Sequence, residues 1–207
     1  MKSVLVHMSS LFSDEGWSPE GAIHIDLQHL EGTCCYCDTA SEHAIEDVFK
    51  SLPMKAIHWI DGGDYHYLSD IFMRRLESPA KLVLFDNHPD DQEPAFGNNI
   101  LSCGGWVAHS RQCNQMLQDN ADSVWLSIDL DYLSRDYART NWNQGDATLQ
   151  ELLDTIIAAT EGKTVAAVDI CGGITTAQGG CAEDFEINLK TRQALQDFFI
   201  CSERLRF

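Results

Sequence analysis

Four short apolar runs in this chain each end at an aspartate, and no other feature constrains the fold as tightly. Ala56-Ile57-His58-Trp59-Ile60 runs into Asp61, Leu82-Val83-Leu84-Phe85 into Asp86, Ser123-Val124-Trp125-Leu126-Ser127-Ile128 into Asp129, and Val165-Ala166-Ala167-Val168 into Asp169. Each reads as a strand, and Val4–His7 and Ala22–Leu27 add two more candidates. Helical patterns lie between them, at Glu42–Leu52, 67–77, Trp106–Asp119, 148–160 and near 184–201. Leu149, Leu152, Leu153, Ile156 and Ile157 carry the helical period, with Thr148 and Glu151 forming a capping box. Strands alternating with helices argue for a mainly parallel sheet. No repeat, low-complexity tract or linker divides the chain, so residues 1–207 read as a single domain.

The aspartates carry chemistry as well as topology. In Asp86-Asn87-His88-Pro89-Asp90, alternation points Asp86, His88 and Asp90 to one face at a strand's C-terminal end, where α/β enzymes place their sites. Such a stretch also reads as a polar turn. Asp129-Leu130-Asp131 repeats the pattern after a run apolar enough to be buried. Burying an uncompensated polar group costs roughly 2–7 kcal/mol, and a charge more. Asp86, Asp90, Asp129 and Asp131 supply four negative charges, which two divalent cations would neutralise. Upstream, Asp61-Gly62-Gly63-Asp64-Tyr65-His66 reads as a tight turn into a helix. His66 is a third candidate ligand there, although a lone histidine in such a turn is more often structural.

In chain order these motifs resemble those of the ureohydrolase superfamily (arginase, agmatinase, formimidoylglutamase): Gly-Gly-Asp-His-Ser, Asp-Ala-His-x-Asp and Ser-x-Asp-x-Asp. The resemblance spans residues 56–131 and extends to about 170. It implies a three-layer α/β/α fold, arginase-like but reduced in size, with about six or seven strands. It also implies two Mn2+ ions, with Fe2+ or Zn2+ as alternatives. One would be held by His66, Asp86, Asp90 and Asp129, the other by His88, Asp86, Asp129 and Asp131. A hydroxide bridging the ions would attack a linear C–N bond in a guanidine, amidine or amide, with Asp90 as the catalytic residue that orients the water and moves its proton. Carboxylate and imidazole donors suit Mn2+ on general grounds too.

The sequence also departs from that pattern. Tyr65 separates Gly-Gly-Asp from His66, and one residue of slip at a helix start turns a side chain by about 100°. Gly172 stands where arginase-like enzymes carry a glutamate that grips the guanidinium. The Gly-Asn-x-His-Gly pattern after Asp90 is missing from Phe96–Gly105. Only residues 91–128 separate Asp90 from Asp129, which leaves little room for extra strands. A degenerate, non-catalytic metal-binding or regulatory protein of the same fold is therefore the alternative expectation. The connections 91–105, 132–147 and 171–183 should rim the site. Tyr132, Arg135, Tyr137, Arg139, Trp142 and Asn143 are the candidates for substrate contact.

With 32 acidic and 14 basic residues, the net charge of −18 opposes binding to nucleic acid or an anionic membrane and favours a cationic or neutral small-molecule substrate. No apolar run approaches the ~18 residues of a membrane span. The first residues lack a signal-peptide pattern, and the eight cysteines show no zinc-finger spacing. A cytoplasmic protein with reduced thiols is expected, and oligomers are common among such enzymes. Cys103 and Cys171 read as small packing residues.

Overall fold

The computed structural model describes residues 1–93, 100–202 and 205–207. Phe96–Asn99, in the first of the three expected rim loops, lie outside them. In chain order the elements are β1 (Lys2–His7), α1 (Leu11–Glu15), β2 (Ile23–Asp26), β3 (Tyr36–Cys37), α2 (Thr39–Phe49), β4 (Ala56–Ile60), α3 (Leu68–Met73), β5 (Lys81–Phe85), β6 (Leu101–Ser102), α4 (Trp106–Cys113), β7 (Ser123–Asp129), α5 (Leu149–Thr160), β8 (Thr164–Cys171) and α6 (Ala182–Cys201). Six strands form one sheet in the order β2-β1-β4-β8-β7-β5, and every pairing is parallel. All four aspartate-terminated runs are therefore neighbours, and their C-terminal ends share one edge.

Alternation sorts the strand residues onto two faces. Ala56, Ile60, Leu82, Leu84, Trp125 and Ala167 face a core completed by Ile45 and Phe49 of α2, Leu68, Ile71 and Phe72 of α3, and Trp106 of α4. Ile57, Trp59, Phe85, Leu126, Ile128, Val168 and Ile170 face the opposite core, with Leu11, Phe12, Leu152, Ile156, Leu195 and Phe199 from α1, α5 and α6. The result is the expected three-layer α/β/α arrangement. Ser127, Asp129, Asp169 and Cys171 continue the first face, under α3 and α4.

The capping box of α5 forms as read: Thr148 Oγ1 accepts from the Glu151 amide at 3.2 Å and Glu151 Oε2 accepts from the Thr148 amide at 2.8 Å. A cap of this kind contributes about 1 kcal/mol. Two helices are shorter than the apolar pattern suggests. α3 ends at Met73 because the next turn tightens, with Arg75 N bonding Phe72 O at 3.2 Å and Leu76 N bonding Met73 O at 3.1 Å. α4 stops at Cys113 because Asn114 leaves the helical region. Its Nδ2 donates to Met73 O at 2.8 Å, and its Oδ1 accepts from Met116 N at 3.0 Å. The short antiparallel pair β3–β6 escapes a pattern reading, since two residues show no alternation.

Candidate metal centre

The edge of the sheet gathers the motif residues around one centre. Asp86 follows β5, Asp129 ends β7, and His66 follows the turn after β4. Gly62 and Gly63 make that turn: Tyr65 N bonds Gly62 O at 2.9 Å and His66 N bonds Gly63 O at 3.1 Å, one 3-10 turn that absorbs the extra tyrosine. A Cβ on Gly63 would stand 3.0 Å from Asp129 Oδ2 and from Trp142 Cδ1, so a larger side chain there would press on the centre. Tyr65 packs toward the core beside Tyr67, and His66 turns to the carboxylates.

His66 Nδ1 lies 3.1 Å from Asp86 Oδ2, 3.1 Å from Asp90 Oδ2 and 3.7 Å from Asp129 Oδ2. His88 Nδ1 lies 2.8 Å from Asp131 Oδ2 and 3.5 Å from Asp86 Oδ1. Asp86 thus presents one oxygen to each imidazole, between two donor groups: His66, Asp86 and Asp90 on one side, Asp86, His88 and Asp131 on the other. Backbone amides orient the carboxylates. His88 N donates to Asp86 Oδ1 at 2.6 Å, Asn87 N to Asp131 Oδ1 at 3.0 Å and Asp131 N to Asp129 Oδ1 at 2.9 Å. Asp90 sits at φ +47°, an uncommon conformation for a non-glycine residue, with Trp106 Nε1 donating to its Oδ2 at 2.7 Å.

Behind His66 a buried relay sets its tautomer. The Ser127 hydroxyl donates to Asp169 Oδ1 at 2.5 Å, Ser69 Oγ donates to the same oxygen at 2.7 Å, and Trp125 Nε1 donates to Asp169 Oδ2. With its proton committed, Ser127 Oγ accepts from His66 Nε2 at 2.9 Å. With Nε2 committed to Ser127, the imidazole turns its Nδ1 to the carboxylate oxygens. That nitrogen is buried and has no hydrogen-bond partner among the described residues. Two carboxylates converging on one buried imidazole nitrogen call for a proton or a metal cation between them, so these residues fit a metal.

The electrostatics agree. Burial, with Asp129 and Asp86 close by, pushes Asp131 up to about 9. Burial and Asp86 push Asp129 up to about 6 against the pull of His66. Burial likewise raises Asp90, whereas Asp86, although buried, is held low by His66 and His88. Burial opposes charge on His66, but Cys171, Asp86 and Asp90 carry it well above its usual value, so a proton does part of a cation's work. The sign of the pH effect follows. Asp131 and His66 hold protons in the folded chain that the unfolded chain releases near its ordinary values, so metal-free stability falls as pH rises from 6 to 9. Thermal melts should show the metal-free midpoint dropping across that window. The gain in midpoint on adding Mn2+ should widen from pH 6 to pH 9.

A cavity of about 290 Å3 opens onto the centre, lined by Asp86, His88, Asp90, Asp129 and Asp131 with Trp142 and Gln92. Of the six loop residues expected to meet substrate, Trp142 alone lines it. Tyr132 packs on Phe85, Tyr137 joins the core beneath α6, Arg139 pairs with Asp184 at 3.2 Å, and Asn143 supplies a carbonyl to Asn87 Nδ2 at 2.9 Å. Arg135 is exposed. Gly172 backs the centre at φ +98°. A Cβ there would stand 2.6 Å from Asp129 Oδ1 and 2.8 Å from Leu130 N, so this backbone excludes the family glutamate. Cys171, read as packing, places Sγ 3.1 Å from Asp129 Oδ2, and its spacing of two from Asp169 along β8 was the available signal. Trp106 carried no such signal.

The backbone arrangement matches known structures. The fold is that of the arginases and agmatinases. The proclavaminate amidino hydrolase of Streptomyces clavuligerus aligns at a TM-score of 0.67 and 12% identity, covering 93% of this chain and 89% of that one. The agmatine ureohydrolase of Thermoplasma volcanium aligns at 0.65 and 12%, covering 96% and 91%. The formimidoylglutamase of Bacillus subtilis aligns at 0.59 and 15%, covering 94% and 85%. At such identities the likeness establishes the arginase-like fold alone. By sequence, an uncharacterised Thermotoga maritima protein is 26% identical over 144 residues, 56% of this chain and 57% of its own length. The match thus spans little more than half of that relative. No protein-family model matches the chain.

Proposed function

We propose that the chain is a metal-dependent hydrolase of a linear C–N bond in a guanidine, amidine or amide, with two Mn2+ ions as its resident cofactor. The observation that carries this reading is the convergence of carboxylates on the buried Nδ1 of His66, 3.1 Å from both Asp86 Oδ2 and Asp90 Oδ2. His66, Asp86, Asp90 and Asp129 would hold one ion, and His88, Asp86, Asp129 and Asp131 the other. Bound divalent ions lower the pKa of water and polarise the carbon under attack.

The protein's own groups supply the rest. Asp90, held by Trp106 and raised by burial, would orient water and take its proton. Trp142 closes one side of the cavity, with His88 against its ring at 5.9 Å. The volume lies at the lower end of the range of about 300–1,000 Å3 typical of ligand pockets, which suits a small molecule, and the acidic lining favours a cationic or neutral one. The thiol-rich, unbridged chain suits a reducing cytoplasm. No helix among the described residues is long and apolar enough to cross a membrane.

Gly172 favours one second reading. With no glutamate there to grip a guanidinium, the centre would bind metal without turning over such substrates. Incubating the Mn2+-loaded protein with a panel of guanidines, amidines and linear amides, and measuring urea or ammonia, separates the two. Release from one class, abolished by Asp90→Asn, is expected. No release at full occupancy would leave the non-catalytic reading.

A further inference from the structure

A second cluster of donors stands beside the carboxylate centre and shares none of its ligands. Consecutive residues of an extended chain point to opposite sides, yet Cys34 and Cys35 both face Asp64. The reason is Cys35, whose φ of +60° turns the chain through the left-handed region. Cys34 Sγ lies 3.9 Å from Asp64 Oδ2, and Cys35 Sγ lies 3.7 Å from Asp64 Oδ1. The two sulfurs and a carboxylate oxygen all fall within 4.8 Å of one another. Zinc–sulfur and zinc–oxygen bonds of about 2.3 and 2.0–2.2 Å set tetrahedral ligands roughly 3.5–3.8 Å apart, so small rotations would close the set.

Asp64 is held as ligating carboxylates usually are. Trp142 Nε1 and Asn141 Nδ2 donate to its Oδ1 at 2.8 and 3.1 Å, and Gln178 Nε2 donates to its Oδ2 at 3.1 Å, which leaves Oδ2 room for a further partner. A third thiol stands close by. The ladder pairing Tyr36 with Ser102 and Cys37 with Leu101 continues to set Cys35 opposite Cys103, whose amide bonds Cys35 O at 2.9 Å. Both Cys35 and Cys103 line the cavity.

We infer that Cys34, Cys35 and Asp64 form a site for a thiophilic divalent cation such as Zn2+ at the mouth of the cavity, with Cys103 across the ladder from Cys35. Two thiolates select a softer ion than the carboxylates of the deeper centre do. Asp64 shares its turn with His66 and holds Trp142, so an ion there would pin the turn and the cavity wall together. Burial and Asp64 keep the Cys35 thiol protonated without an ion, which argues against a free nucleophile.

Cadmium titration of the reduced, Mn2+-loaded full chain tests this through the ultraviolet sulfur-to-metal charge-transfer band, which carboxylate-bound cadmium lacks. One equivalent should develop the band. Cys34→Ser, at an exposed position that folding tolerates, and Cys35→Ser should each weaken binding at least about tenfold, the lower bound for residues that merely orient a ligand. Asp129→Asn should leave the band intact, so failure of the deeper centre would not obscure the result. No band at stoichiometric cadmium overturns the proposal. So does a band that survives the Cys34→Ser, Cys35→Ser double change, or one that vanishes only with Cys171→Ser.

Discussion

Asp129→Asn is expected to abolish Mn2+ binding while leaving the metal-free protein at least as stable as the parent at pH 8. Asp129 reaches toward His66 and accepts from Cys171 Sγ on its Oδ2, while its Oδ1 accepts from the Asp131 amide. The asparagine carbonyl can keep the Asp131 bond, so the turn after β7 survives. What goes is a buried negative charge. Its folded-state pKa is raised to about 6, so ionisation above that value works against the fold, and removing the carboxylate relieves it. Metal affinity should fall by more than about a hundredfold, above the range for residues that only orient ligands. Hydrolysis should fall roughly a thousandfold or more, since a loss of about 4 kcal/mol of transition-state stabilisation has that effect. Isothermal titration and thermal melts of the two proteins side by side check both halves. Equal destabilisation with and without Mn2+ would make Asp129 a structural residue only.

Glu15→Ala should give the largest loss of stability, about 3–5 kcal/mol, as expected when one partner leaves a buried ion pair. Arg192 is fully buried. Its Nε meets Glu15 Oε2 at 2.5 Å, its Nη2 donates to Gly172 O at 2.6 Å, and its guanidinium stacks near Phe12 and Trp59 at 5.2 and 5.7 Å. Asn188 Nδ2 holds the other Glu15 oxygen at 2.8 Å. Without the carboxylate, a guanidinium would stay buried with only a carbonyl and two rings for company. The strut runs from α1 through α6 to Gly172, the residue pressed against Asp129. Urea unfolding should therefore show the stability loss, and Mn2+ affinity should weaken as well because the backing of Asp129 loosens. A loss below about 1 kcal/mol would mean that Arg192 finds other partners.

The sheet was legible because the strands that end in an aspartate announce themselves twice, once by apolarity and once by charge. Asp86, His88, Asp90, Asp129 and Asp131 could be read from the charge that follows each apolar run, although Asp90 reaches the centre through a left-handed residue at φ +47° and Asp131 through a 3-10 turn rather than by alternation along a strand. His66 was harder, because its direction depends on how Gly62 and Gly63 wind a 3-10 turn, which spacing alone does not specify. The loop of residues 132–147 misled for a related reason. Its aromatic and basic residues look like substrate contacts, yet tertiary partners such as Phe85 and Asp184 claim them. Ser127 stood in the Ser-x-Asp-x-Asp motif and Asp169 at a strand end, but their spacing did not show that they hold the Nε2 side of His66. Their role exists only once β7 and β8 lie side by side and pair Ser127 with Asp169. Cys34 and Cys35 converge only through one left-handed residue, a torsion that pattern reading does not see.

Two carboxylate–imidazole groups that share Asp86 would together hold two metal ions. The direct measurement is anomalous scattering at the manganese edge from crystals soaked in Mn2+. Two peaks separated by roughly 3.5–4 Å, one against His66 Nδ1 and one against His88 Nδ1 with Asp86 between them, are predicted. A single peak remote from His66, or none at saturating Mn2+, would contradict the account.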